Sequence, residues 1–126
     1  MDSPIVYVDH SDIRPGKLDE LKAALRELAA FVEEHEPELV SYAAYIDEAA
    51  GTVSVTHVHR DVASLDTHFE VAGPRFGPFA AHLELRSIDV FGAVSDAASA
   101  ALHEKARALG GARVRIHPPL AGFLRT

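Results

Sequence analysis

A stripe of apolar side chains near the start of the chain is the feature that most restricts the fold. Its members recur at spacings of three and four residues: Leu18, Leu21, Leu25, Leu28 and Val32. This spacing is that of an amphipathic helix with one apolar face. Pro15 and Gly16 precede the stripe and Pro37 follows it, and both are positions at which a helix ordinarily begins or ends. The sequence therefore predicts a helix that must bury one face against a second layer.

The second layer is predicted by five short segments rich in β-branched and aromatic residues. They are residues 5–10, 40–46, 52–59, 86–92 and 112–117. Residues 47–51 (DEAAG) have the composition of a turn, so the second and third segments form a hairpin. Each of these segments is short enough to be one strand of a small sheet.

Two more helices complete the pattern. Asp61 can cap a helix over 62–72, and Ser95 can cap one over 96–109. Between them, Gly73-Pro74 and Gly77-Pro78 interrupt the chain and leave room for a short helical piece up to about Leu83.

The resulting order is βαββαβ followed by an added αβ. It predicts an α+β ferredoxin-like sandwich with a four-stranded antiparallel core sheet and helices on one face. The other face of the sheet needs a cover, and a second copy of the same sheet is the simplest one. We therefore expect a twofold homodimer that associates through its sheet faces.

Composition narrows the class of protein. A chain of 126 residues is expected to form one domain, 1–126, with a core of about 5–92 and an extension of about 93–126. The net charge of −7 argues against nucleic acid or an anionic membrane as a partner. There is no cysteine, which excludes disulfides and thiolate chemistry. The start, MDSPIVYVDH, does not resemble a signal peptide, so a cytoplasmic location is expected.

Three histidines lie close together in the segment SVTHVHRDVASLDTHF: His57, His59 and His68. His57 and His59 are two residues apart on a strand and must point to the same side of the sheet. The helix that begins after Asp61 has to fold back over the sheet to bury Leu65, and this brings His68 toward the strand. The sequence predicts that the three histidines border one pocket.

Three interpretations of these histidines remain open from the residues alone. They can be packing groups without chemistry, the polar part of an organic-ligand pocket, or ligands of a metal. A metal site ordinarily has three or four ligands, and His57-x-His59 supplies two without a paired carboxylate or cysteine. We therefore predict that the protein binds no metal and uses no cofactor.

Aromatic and basic residues supply candidate substrate contacts. Tyr42 and Tyr45 have opposite parity on one strand, so only one of them can join the histidine face. The remaining candidates are Phe69, Phe76, Phe79 and Arg86. The phenylalanines favour a flat apolar pocket suited to an aromatic substrate.

The segment HVHRDVASLDTH resembles the antibiotic biosynthesis monooxygenase-like (ABM-like) group of the dimeric α+β barrel superfamily. In that group a strand is followed by a short polar turn and a helix with a small residue, a large apolar residue and then a histidine. Ser64, Leu65 and His68 stand at those helix positions. His57 and His59 depart from the pattern, which has Glu and Tyr or Trp at their places.

The resemblance implies a ferredoxin-like protomer that dimerises through its sheets and small-molecule chemistry between sheet and helices. Some relatives oxidise phenolic polycyclic substrates with dioxygen and no cofactor, and others degrade haem with an Asn, a Trp and a His. This chain contains neither Asn nor Trp. The first expectation is thus a cofactor-independent oxygenase of a phenolic or polyketide-like aromatic substrate. In such an enzyme a neutral His68 is the first choice for the catalytic base and His57 or His59 the second. Tyr42 or Tyr45 with Arg86 could hold a phenolic or carbonyl oxygen. The alternatives are a non-catalytic ligand-binding or accessory dimer and a haem- or metal-binding protein.

Overall fold

A five-stranded mixed sheet forms one layer of the structure, a computed structural model that describes residues 4–125. Its strands are β1 (Ile5–Ile13), β2 (Leu39–Asp47), β3 (Thr52–His59), β4 (Leu83–Phe91) and β5 (Arg113–His117). The strand order is β2-β3-β1-β4-β5. The first four strands pair antiparallel, and β5 pairs parallel to β4. The predicted ferredoxin-like α+β fold with a four-stranded antiparallel core is confirmed.

Three helices cover one face of this sheet: α1 (Leu18–His35), α2 (Val62–Ala72) and α3 (Asp96–Ala108). The apolar stripe predicted for α1 is buried, with Leu21, Leu25, Leu28 and Val32 at most 6% exposed. On β3, buried and half-buried residues alternate strictly, so one side of the strand enters the core. The core lies between the helices and this side of the sheet.

The hairpin between β2 and β3 follows the predicted turn. The carboxylate of Asp47 accepts a hydrogen bond from the backbone N–H of Ala50 at 3.0 Å. Gly51 has φ +69°, in the left-handed region that glycine enters without steric cost. The turn fixes the register that places Tyr42 opposite His57.

Two short 3₁₀ turns, Gly73–Arg75 and Gly77–Ala81, connect α2 to β4. Pro74 and Pro78 lack the N–H that would extend an α-helix, so the segment forms two separate short 3₁₀ turns instead. We call residues 73–81 the glycine–proline segment. It puts Phe76 and Phe79 into the core, where they are 8% and 9% exposed.

Strand lengths differ from the sequence prediction in two places. β1 was predicted over 5–10 but continues to Ile13. β4 was predicted over 86–92 but already begins at Leu83. The polar stretch HSD in β1 concealed its continuation. The register shifts by one residue between His10, which pairs with Ser87, and Ser11, which pairs with Leu85, so Arg86 is the extra residue of a bulge in β4 and is exposed.

Within residues 4–125, no helix combines the length and the apolar character that a membrane crossing requires.

The N-cap of α2 is expected to contribute measurably to stability. The Asp61 carboxylate accepts a hydrogen bond from the backbone N–H of Ser64 at 2.9 Å. Asp61→Ala should lower the free energy of unfolding by about 1 kcal/mol, the usual effect of removing such a cap. Urea unfolding monitored by circular dichroism measures it. The matched control is Glu70→Ala, an exposed change on the same helix without a cap bond; equal losses in both variants would contradict the assignment.

Candidate functional site

The three histidines singled out from the sequence come together in the core. The rings of His57 and His59 point to the same side of β3, with centroids 6.2 Å apart. His68 reaches them from α2, at 5.1 Å from His57 and 5.4 Å from His59. All three are at most 1% exposed. We call these three residues the histidine cluster.

One nitrogen of each imidazole is held by a partner. His57 Nδ1 donates to the carbonyl oxygen of Tyr7 at 2.9 Å. His59 Nδ1 and the hydroxyl of Ser64 are 2.9 Å apart. His68 Nδ1 lies 3.0 Å from both carboxylate oxygens of Glu36 and donates to them. The Nε2 atoms of His59 and His68 are buried and have no hydrogen-bond partner among residues 4–125.

Glu36 is a site residue that sequence analysis did not single out. It follows the last turn of α1, where its backbone N–H bonds to the carbonyl of Val32, and Pro37 then turns the chain. Its side chain is 2% exposed, whereas Glu33 and Glu34 nearby are not buried with it. The sequence contains no signal that distinguishes this glutamate from its neighbours, because its burial depends on where α2 packs.

Burial keeps two of the imidazoles neutral. It lowers the pKa of His57 well below the ordinary value, and proximity to the His68 ring and to the Lys105 ammonium lowers it further. Burial and proximity to the His68 ring lower the pKa of His59 to about 3. Near pH 7 both rings are therefore uncharged, with one nitrogen a donor and the other an acceptor.

The buried Tyr7 and the half-buried Tyr42 stay protonated at the same site. Burial, followed by the Asp9 carboxylate, raises the pKa of Tyr7 well above its ordinary value. Burial and the carboxylates of Asp9 and Glu36 likewise raise the pKa of Tyr42. Tyr7 stacks on His57 with a centroid distance of 4.1 Å, and Tyr42 meets His57 edge-on at 4.9 Å.

A second polar group lies beside the histidine cluster and was also missed from the sequence. Lys105 of α3 is 9% exposed and donates to the Tyr7 hydroxyl at 2.6 Å and to Asp9 at 2.7 Å. Its Nζ also lies 4.2 Å from the centre of the Phe76 ring. We call Tyr7, Asp9 and Lys105 the lysine group. A lysine on the inward face of a helix, after several alanines, is unusual and could have been noticed in the sequence. The sequence could not have shown that Asp9 is its partner.

A cavity of about 40 Å³ adjoins the lysine group. Asp9, Ser11, Tyr42 and Lys105 provide its polar lining, and side chains of α1, β3, β4 and the glycine–proline segment provide an apolar lining. Tyr42 and Phe76 border this cavity, and the same two rings contact the histidine cluster, with Phe76 5.6 Å from His68. The two rings thus separate the cavity from the histidines.

The other predicted contact residues divide by face. Phe69 stacks on Tyr7 at 6.0 Å, and Phe79 lines the cavity. Tyr45 is 61% exposed and lies on the opposite side of β2 from Tyr42. Arg86 pairs with Asp12 and Glu84, and its side chain is 57% exposed. The structure does not bring Tyr45 or Arg86 to the histidine cluster.

Within the described part of the chain, no group of three or more His, Asp or Glu side chains has an arrangement that could hold a metal ion. The buried charged side chains are instead paired with one another, as in His68–Glu36 and Lys105–Asp9. The absence of a metal or cofactor in the working protein stays a prediction.

The neutral imidazoles predict a loss of stability in mild acid. Unfolded histidine has a pKa near 6.5, above the folded values of His57 and His59, so the unfolded chain binds more protons below that pH. The stabilising contribution is complete above about pH 6.5 and falls as the pH drops toward 5. Each histidine should add about 1.4 kcal/mol per pH unit to the slope.

His59→Gln tests this slope. The variant should unfold with a pH dependence between pH 6 and 5 that is smaller than that of the unmodified protein by about 1.4 kcal/mol per unit. Denaturant titrations at several pH values measure it. His103→Gln, at an exposed position on α3, is the control and should leave the slope unchanged. An unaltered slope in His59→Gln would mean that His59 is charged in the folded protein.

Comparison with known proteins gives structural matches only. No protein-family model matches the sequence, and no curated protein matches it. The crystal structure of MupZ from Pseudomonas fluorescens matches with a TM-score of 0.74 at 13% identity, over 98% of this chain and 96% of that chain. This alignment is long enough to include α3 and β5, which follow the ferredoxin-like core.

Two further matches carry a functional description. A "putative antibiotic biosynthesis monooxygenase" from Bacteroides thetaiotaomicron matches with a TM-score of 0.54 at 24% identity, over 66% of this chain and 85% of that chain. One described in the same words, from Caulobacter crescentus, matches with a TM-score of 0.52 at 25% identity, over 61% and 78%. The resemblance drawn from the sequence is confirmed at the level of the fold: this chain has the ferredoxin-like α+β fold of these ABM-like proteins.

Proposed function

We propose that the protein is a small-molecule oxygenase in which the Glu36–His68 pair acts as the base. The observation that carries the proposal is the buried His68 ring, whose Nδ1 is held at 3.0 Å by both oxygens of Glu36 while Nε2 has no partner among residues 4–125. A carboxylate on one nitrogen fixes the tautomer and orientation of an imidazole and leaves the other nitrogen to accept a proton.

The surrounding rings suit this role because they carry no competing charge. His57 and His59 are neutral near pH 7, and Tyr42 is protonated. A positive charge that develops on His68 during proton transfer is then balanced by Glu36, its closest charged partner. Low polarity around the pair strengthens that attraction.

The proposed reaction is the cofactor-independent oxidation of a phenolic, polyketide-like aromatic compound by dioxygen. His68 removes the phenolic proton, and the phenolate passes one electron to dioxygen, giving a phenoxyl radical and superoxide. The two combine at a ring C–H carbon, and the resulting peroxide takes back the proton from His68 to give a hydroperoxide, which loses water to leave a carbonyl. One dioxygen is consumed, and one of its oxygen atoms enters the quinone while the other leaves as water.

Substrate entry would require the glycine–proline segment to move. A cavity of about 40 Å³ has room for a few waters, whereas sites for organic ligands have volumes of about 300 Å³ or more. The segment is fastened by a hydrogen bond from Arg14 Nε to the carbonyl of Ala80 and by Arg75 stacked on Phe31. Its displacement would withdraw Phe76 and join the cavity to the histidine cluster.

A homodimer through the open face of the sheet is part of the proposal. That face carries Val6, Val8 and Val58, which are half-buried, together with the exposed rings of Tyr45 and Phe91. Such a mixed apolar surface on one side of a sheet is typical of an interface between copies. The single-domain organisation over 1–126, with a core of about 5–92, is proposed with it.

The small cavity also favours a second candidate, a ligand-binding or accessory dimer without catalysis. In that case His68 and Glu36 would stabilise the core, and a molecule bound on opening would leave unchanged. Native mass spectrometry of freshly purified protein for a retained aromatic compound, followed by incubation in air, separates the two: an oxidised compound of altered mass supports the oxygenase.

His68→Gln is expected to lower turnover of a hydroxyanthrone or of the retained compound by about a hundredfold or more, because a general base contributes on that scale. Oxygen consumption measures the rate. His103→Gln is the matched control, because the same change there affects an exposed ring bonded only within α3. Equal turnover in both variants, with the fold intact, would mean that His68 is structural.

Light scattering at micromolar concentration should give a mass close to twice 13.6 kDa. Val58→Glu would place a charge in the proposed interface and should shift the protein toward the monomer. Thr67→Glu adds the same charge at an exposed position of α2 and should leave the dimer intact. A monomeric unmodified protein would contradict the proposed interface.

A further inference from the structure

The lysine group contains one polar atom that the fold does not satisfy. Asp9 is 6% exposed, and its Oδ2 accepts from Lys105 at 2.7 Å, but its Oδ1 is buried without a partner among residues 4–125. A carboxylate oxygen without a donor is costly in a protein interior. Asp9 also lines the cavity, so a molecule bound in the cavity can reach this residue.

Lys105 needs no further partner. Its Nζ donates to the Tyr7 hydroxyl at 2.6 Å and to Asp9, and it faces the ring of Phe76 at 4.2 Å. A ligand anion would therefore have to compete with Asp9 for the same cation. A ligand ammonium group would place a second cation beside Lys105 in a mostly apolar cavity. A neutral hydrogen-bond donor on the ligand meets neither obstacle.

We propose that Asp9, held in place by Lys105, binds a hydroxyl group of the ligand, so that the cavity selects small apolar molecules carrying a hydroxyl at this position. The inference rests on the proposed function in so far as the bound molecule is its substrate. It assigns Lys105 a positioning role, because the lysine fixes the carboxylate and leaves Oδ1 directed to the ligand. α3, which lies outside the ferredoxin-like core, thereby contributes to substrate selection.

An internal donor is the competing explanation. The hydroxyl of Tyr7 accepts from Lys105 and stands beside Asp9 with its own proton left to donate, and the hydroxyls of Ser11 and Tyr42 line the same cavity. Any of the three could turn toward Asp9. In that case the cavity would prefer a purely apolar ligand, since no acceptor would remain for a hydroxyl. The preference between two molecules of equal shape therefore distinguishes the explanations.

The test uses p-cresol and p-xylene, which have the same shape and differ by a hydroxyl in place of a methyl group. Dissociation constants are measured by NMR titration of the full-length, isotope-labelled protein. The unmodified protein should bind p-cresol at least tenfold more tightly, about the effect of one hydrogen bond to a charged acceptor. No preference, or no binding of either compound at millimolar concentration, would overturn the inference.

Asp9→Leu combined with Lys105→Met removes both charges together and leaves neither unpaired. The double variant should lose at least tenfold of the preference while still binding p-xylene. Asp9→Asn, of nearly identical shape, provides a second variant should the double variant fail to fold, and should reduce the preference several-fold. An undiminished preference in the folded double variant, or in Asp9→Asn, would show that the hydroxyl is bound elsewhere.

His68→Gln separates this inference from the proposed catalysis, because binding is measured without turnover. If Asp9 is the acceptor, the preference for p-cresol persists in this variant whether or not the unmodified protein oxidises any phenol. Loss of the preference in His68→Gln, with Asp9 intact, would place the hydroxyl at the histidine cluster and overturn the assignment to Asp9.

Discussion

The contact between His68 and Glu36 connects elements that the rest of the site depends on. Glu36 stands at the end of α1, and His68 lies on the buried face of α2, so their hydrogen bonds join the two helices above β3. Removing either partner would leave the other polar and buried, which is among the most costly single changes in a protein interior. The pair therefore fixes where α2 lies on the sheet. The position of α2 in turn determines where Phe69 lies and where the glycine–proline segment begins.

A second pair, Lys105 and Asp9, lies on the other side of a layer of neutral rings. Tyr7 belongs to both neighbourhoods, since its ring stacks on His57 and its hydroxyl accepts from Lys105. Lys105 and Asp9 compensate each other's charge, and the buried Glu36 carboxylate accepts from the N–H of His68, so both pairs can remain in the core. The neutral rings between them hold the histidine cluster and the cavity at different depths, which would allow one group to bind a substrate and the other to take its proton.

The sequence predicts those features of the fold and the site that arise from interactions between residues near one another in the chain. The stripe of α1, the cap at Asp61 and the parity of His57 and His59 are local patterns, and each led to the element or face that the structure contains. Glu36 and Lys105 could not be found in this way, because each acquires its role from a partner 32 or 96 residues away. Arg86 was favoured for its charge, but it is the extra residue of the bulge in β4, and its pairing with Asp12 keeps it among exposed groups.

The C-terminal αβ unit is best understood from what the core would lack without it. The four antiparallel strands and α1 and α2 already form a complete ferredoxin-like arrangement, yet Asp9 on β1 would then be a buried carboxylate facing an apolar cavity with no cation beside it. α3 supplies that cation, and β5 anchors α3 by pairing with β4 after the turn at Gly110 and Gly111, both of which have positive φ. Asp9 and α3 therefore depend on each other: the acidic residue is tolerable in the core because α3 is present, and Lys105 is tolerable in α3 because Asp9 receives it.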